Sequence, residues 1–141
     1  MANIIPDAFK SELLSGTHNF ANGGNSFKIA LYTDISGYST SSTAYSTSNE
    51  VSSSGTNYSA GGNALDSQAV AVASNTAFVD FADEVFSSVT LSAVGAVIYN
   101  DTNSDKLVVV LDFGGTKTAT NGDFTIQFPA AGASTAIIRI A

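Results

Sequence analysis

Hydrophobic positions along this chain recur with two periods, and the longer one occurs only at the start. In Ile5-Pro6-Asp7-Ala8-Phe9-Lys10-Ser11-Glu12-Leu13-Leu14-Ser15-Gly16, the apolar Ile5, Phe9 and Leu13 fall four apart, on one face of a helix. Pro6 suits the first helical position, Asp7 the positive end of the dipole and Gly16 the exit, so a short helix is expected over about 6–15. Phe27-Lys28-Ile29-Ala30-Leu31-Tyr32-Thr33 then alternates Phe, Ile and Leu with Lys, Ala and Tyr, the two-residue period of a half-buried strand.

From 34 to 62 the periodicity vanishes into Ser, Thr, Gly and Tyr, which predicts a long loop, either functional or ordered by a partner. Beyond it, runs rich in Val, Ile, Phe and Thr occupy 64–73, 77–81, 86–99, 106–113, 116–120, 124–128 and 135–140. The longest, 85–100, is expected to break or bulge near Ser87-Ser88 or Gly95. Asn121-Gly122 reads as a type I′ hairpin turn, Gly114-Gly115 as a strand-to-strand turn, and residues 100–105 as a second hairpin. Seven or eight short strands with one N-terminal helix predict an all-β fold, a single β-sandwich or jelly-roll-like barrel spanning 1–141.

Composition narrows the chemistry. The 141 residues suit one domain, and the absence of cysteine removes disulfides and thiolate metal sites, as in a protein made in a reducing cytoplasm. The opening Met1-Ala2-Asn3-Ile4-Ile5-Pro6 has no basic region, and no apolar run nears 20 residues, so neither a signal peptide nor a membrane span is expected. Charged residues make up 12% of the chain and give a net charge of −7, so much of the surface must be Ser, Thr, Asn and Gly, which can be packed against at low desolvation cost. The five bases (Lys10, Lys28, Lys106, Lys117 and Arg139) form no patch, so nucleic acid is not expected as a partner.

Catalytic candidates are few, and no enzyme is expected. His18, the lone histidine, follows the helix exit, where a solvated or carbonyl-bonded ring fits better than a general base. Leu111-Asp112-Phe113-Gly114-Gly115-Thr116-Lys117-Thr118 resembles the phosphate-binding hairpin of sugar kinases related to hexokinase and actin, but the chain has no room for the rest of that fold. Asp101-Thr102-Asn103-Ser104-Asp105 alternates oxygen ligands like a calcium loop, yet Lys106 stands where glycine is needed and Asp112 where glutamate is needed. Asp80, Asp83 and Glu84 cluster near a strand end, where carboxylates are more often solvated than paired for glycoside hydrolysis. No catalytic, cofactor-binding or metal residue is therefore assigned, and no cofactor is implied.

Several motifs together resemble a family of small tailed-bacteriophage virion proteins. They are Pro6-Asp7-Ala8-Phe9-Lys10, the 27–33 strand, Thr43-Ala44-Tyr45 with Asn49-Glu50-Val51, and Tyr58-Ser59-Ala60-Gly61-Gly62. Ala96-Val97-Ile98-Tyr99-Asn100, Gly122-Asp123-Phe124-Thr125-Ile126-Gln127-Phe128-Pro129 and Ile137-Ile138-Arg139-Ile140-Ala141 complete the set. The serine-rich stretch 36–56 departs from that pattern. The resemblance implies a structural protein of the virion with no catalytic residues. The acidic balance favours the outside of the head, as a decoration or cement protein bound to the major capsid protein and to copies of itself, as a dimer or trimer. A tail component (tube, fibre-base or adaptor) is the alternative within that class, and a carbohydrate-binding β-sandwich lies outside it. Tyr38, Tyr45 and Tyr58 in the long loop, with Ile138 and Ile140 in the last strand, are the expected protein–protein contacts.

Overall fold

The computed structural model describes residues 2–141 and is all-β, with two antiparallel sheets in a sandwich-like arrangement and one short helix. Helix α1 spans Asp7–Leu14, one residue inside its expected start, because Pro6 takes an extended conformation and serves as the cap. The Asp7 amide donates to the Thr40 carbonyl, 2.8 Å away, so the long loop satisfies the helix N-terminus. At the other end Gly16 takes φ +77° and the Gly16 and Thr17 amides return to the Leu13 and Glu12 carbonyls, the Schellman arrangement that glycine permits. Phe9 is buried and Leu13 packs beside it, while Ile5 lies at the surface.

The larger sheet contains β1 (Phe27–Tyr32), β2 (Asn63–Ala64), β5 (Glu84–Asn100) and β6 (Lys106–Ile126) in the order β2-β1-β5-β6. The smaller contains β3 (Ala69–Ala73), β4 (Thr76–Asp80) and β7 (Ile138–Ile140) in the order β3-β4-β7. Ile29, Leu31, Ile98 and Phe86 of the large sheet share one core with Val79 and Ile138 of the small sheet and with Phe9, Phe20 and Phe27. The rings of Phe20 and Phe27 stack 4.4 Å apart within it.

Local turn signals are overridden where a long partner strand is available. The runs at 106–113, 116–120 and 124–128 form one strand, β6, since all three pair with β5. Asn121-Gly122 is therefore a bulge and not a hairpin turn: Gly122 pairs with Val89 and Ala119 with Leu91, leaving Thr120 and Asn121 opposite Thr90 alone. Gly114-Gly115 is likewise no turn between paired strands, because Asp112 pairs with Gly95 and Lys117 with Ala93, so residues 113–116 bow out opposite Val94. β5 runs unbroken, but its register slips at both expected positions, between Phe86 and Val89 and between Ala93 and Gly95. The hairpin closed by 101–105 forms as expected, whereas the 64–73 run divides into β2 and β3.

A second difference has larger consequences. β1 is buried along nearly its whole length, not on one face. Ala30, Tyr32, Val97, Tyr99, Leu107 and Val110 form a second core on the far side of the large sheet. It is roofed by Ile35, Tyr38 and Tyr45 of the 34–62 segment together with Ile4. Two-sided burial explains the continuous apolar run Ala93-Val94-Gly95-Ala96-Val97-Ile98, which a sheet with one wet face does not need.

The return of that segment to β2 depends on Gly62, whose φ is +78° and whose α-carbon lies so close to the Ile29 carbonyl that any side chain would be driven into it. Gly62→Ala is expected to cost roughly 2–4 kcal/mol in urea denaturation, combining backbone strain with displacement of β1. Wild-type stability in that variant would contradict the close approach.

Candidate functional site

All five tyrosines of the chain bond to or within the 34–62 segment where it meets the large sheet, and Glu50 binds two of them directly. Its carboxylate accepts from the Tyr45 hydroxyl at 2.6 Å, the Tyr58 hydroxyl at 2.8 Å and the Gly61 amide at 2.7 Å. The Tyr58 hydroxyl also accepts from the Leu31 amide at 3.0 Å, which links Glu50 to β1. Tyr99 donates to the Gly61 carbonyl at 2.6 Å and stacks on Tyr45 at 4.5 Å. Tyr32 donates to the Ser46 carbonyl, Tyr38 donates to Tyr32, and the Ser46 amide donates to Tyr38.

The tyrosines expected to reach a partner are thus turned inward. Tyr38 and Tyr58 are only 8% and 3% exposed and Tyr45 is half-buried, because each hydroxyl finds an internal partner that lets its ring leave water. None of the chain's aromatic side chains is fully exposed among the described residues.

The chemical candidates are also engaged in holding segments together. His18 is buried against Phe9. Its Nδ1 accepts from Asn100 Nδ2 at 3.0 Å, and its Nε2 stands 3.9 Å from Glu12 Oε1. Burial holds its pKa below the ordinary histidine value, which keeps the ring neutral at pH 7. Lys106 Nζ lies 2.8 Å from Glu12 Oε2 without hydrogen-bond alignment, so that contact is an ion pair. The 101–105 turn is occupied as well: Thr102 Oγ1 accepts from the Ser26 amide, Asn103 Nδ2 donates to the Thr17 carbonyl, and the Asp105 carbonyl accepts from the Tyr45 amide.

Asp112 accepts from the Gly114 amide at 2.9 Å, which lowers its carboxyl pKa and spends on an internal turn the N–H that a phosphate would need. Asp112, Lys117 and Asp123 rim an open groove of about 560 Å³ floored by Phe113, Phe124 and Ile137. In the acidic cluster, Asp83 accepts from the Phe128 amide and Glu84 from Asn63 Nδ2. Among the described residues, no group of three or more His, Asp and Glu side chains is arranged to hold a metal.

What remains open is the small sheet. Every residue of β3 is exposed, with Val70 at 51% and Val72 at 73%. In β7 the two expected contacts part ways: Ile138 is buried at 5%, packed into the shared core, whereas Ile140 is 55% exposed. Beside them runs an apolar groove of about 490 Å³ between the end of α1 and this sheet. Sequence reading misses Val70 and Val72 as surface residues. The available signal is the alternation of small and large apolar residues in Ala69-Val70-Ala71-Val72-Ala73, inside a stretch (67–79) with no charged side chain.

No protein-family model, curated protein or solved structure matches the chain.

Burial first, and hydrogen bonding or nearby acidic groups in addition, push all five tyrosine pKa values upward. Folded values above the unfolded value of about 10 mean that this stabilisation is complete below pH 10 and is lost as pH rises beyond it. Spectrophotometric titration is expected to show no phenolate forming near pH 10 in the folded chain, with ionisation coinciding with alkaline unfolding. A reversible step near pH 10 would contradict the network.

Proposed function

We propose that this chain is a structural protein of a tailed-phage particle, a decoration or cement protein seated on the outside of the head against the major capsid protein. The observation that carries the reading is the small sheet: an uncharged, apolar strand and an exposed C-terminal Ile140 on an otherwise acidic, hydroxyl-rich body. Such a surface recognises another protein through backbone edges and apolar side chains, and it needs no titrating group. The twelve acids against five bases favour a position away from packaged DNA.

The motif set read along the sequence supports the same assignment, as does the internal use of His18, Asp112 and the tyrosines. A protein of this kind stabilises a shell by binding only the assembled state, so a rigid body with a small apolar contact repeated over many lattice positions suffices. The last strand, Ile138–Ile140, pairs with β4 on one side and has its other side available to a capsid segment.

Cryo-electron microscopy of the particle that carries this chain tests the proposal. Hundreds of copies spread over the capsid exterior are expected. A ring or stack of copies along the tail would replace this assignment with the tail alternative, and absence from the particle would refute both.

A further inference from the structure

We infer that β3 is a self-association edge, through which two copies of this chain pair antiparallel about a two-fold axis at Ala71, joining their small sheets into one. The inference goes beyond the virion reading and does not depend on it.

The argument starts at the turn between β3 and β4. Ser74 and Asn75 take φ +48° and +62°, the signature of a two-residue type I′ hairpin, and Ala73 pairs with Thr76 across it. The pair flanking such a turn is hydrogen-bonded, and bonded and non-bonded pairs alternate from there. Ala73, Ala71 and Ala69 therefore bond to β4, while the N–H and C=O groups of Val72 and Val70 point outward along an edge that no other described strand covers.

Those outward groups are arranged to match themselves. Ala-Val-Ala-Val-Ala reads the same in both directions, so antiparallel pairing centred on Ala71 sets Val70 of each copy opposite Val72 of the other. Both members of each pair are outward-facing, and each pair exchanges both of its N–H···O bonds, with Ala71 facing its own counterpart in a non-bonded pair. A register shifted by one residue would oppose outward groups with inward ones and lose these bonds. The valine side chains meet as β-branched cross-strand pairs, and the alanines leave the opposite face free of obstruction.

Electrostatics permits this edge: two copies each carrying −7 repel, and residues 67–79 bring no charge of their own to the contact. Natural edges are commonly guarded by lysine, proline or a bulge, and β3 has none of these. A five-residue edge alone falls short of the roughly 800 Å² per partner of a stable interface. The adjoining apolar groove makes up contact area: Val70, Val79 and Ile140 line it, and the facing Val72 extends its floor into the second copy.

The test uses the full chain, whose lack of cysteine gives a clean background. In sedimentation velocity the wild type is expected to form a dimer, and Val70→Lys with Val72→Lys is expected to abolish it while leaving the near-ultraviolet tyrosine signal unchanged. On mild oxidation Ala71→Cys is expected to cross-link to its own copy, since non-bonded antiparallel pairs sit about 4.5 Å apart at Cα, within disulfide reach. Ala69→Cys, displaced from its counterpart, is expected not to cross-link. A monomeric wild type, a dimer that survives both lysines, failure of Ala71→Cys to cross-link, or equal cross-linking at position 69 would each overturn the inference.

Discussion

The rest of the structure depends on the carboxylate of Glu50 and the hydroxyls gathered around it. A segment composed mostly of Ser, Thr and Gly has too little apolar surface to hold itself against a sheet, so something must offset the entropy of ordering it. Glu50 does so by accepting from Tyr45, Tyr58 and the Gly61 amide at once, tying the middle of the segment and its return to β2 to one point. Hydrogen bonds to a charged acceptor contribute about 1.5–3 kcal/mol each, and two of the donors also carry rings into the cores, Tyr58 in the first and Tyr45 against the second. The backbone reinforces the hub, with the Val51 amide donating to Leu31 and the Thr33 amide to Asn49.

From that clamp follows the division of the molecule into a closed body and an open margin. With the serine-rich segment as roof, the large sheet is covered on both faces across β1 and the neighbouring halves of β5 and β6. The helix, the His18 cluster and the 101–105 turn seal one end through the Asn100–His18 and Asn103–Thr17 hydrogen bonds and the Lys106–Glu12 ion pair. The small sheet shares the first core only through its inner residues, Val79 and Ile138, so Val70, Val72 and Ile140 extend past the body.

Readable in the sequence are the features fixed by local chemistry. The Gly16 exit, the existence of strand β1, the irregularities at Ser88 and Gly95 and the 101–105 hairpin each depend on the residues at hand. Features that depend on a distant partner are misread. Asn121-Gly122 has the φ preferences of a turn, but β5 extends far enough to pair on both sides of it, and a bulge results. Tyr38, Tyr45 and Tyr58 resemble anchors for another chain because nothing within the loop announces that Glu50, Leu31 and Ser46 await them. The β3 edge is invisible for the opposite reason: Ala-Val-Ala-Val-Ala reads plainly as a strand, and only the sheet order leaves it outside.

Native-state amide hydrogen exchange tests the clamp most directly. If the serine-rich segment is an integral layer, the Leu31, Val51 and Gly61 amides, bonded to Tyr58, Leu31 and Glu50, are expected to exchange as slowly as the core of β5, through global unfolding alone. Exchange of Val51 and Gly61 at rates typical of an unstructured chain, with β5 still protected, would contradict the account.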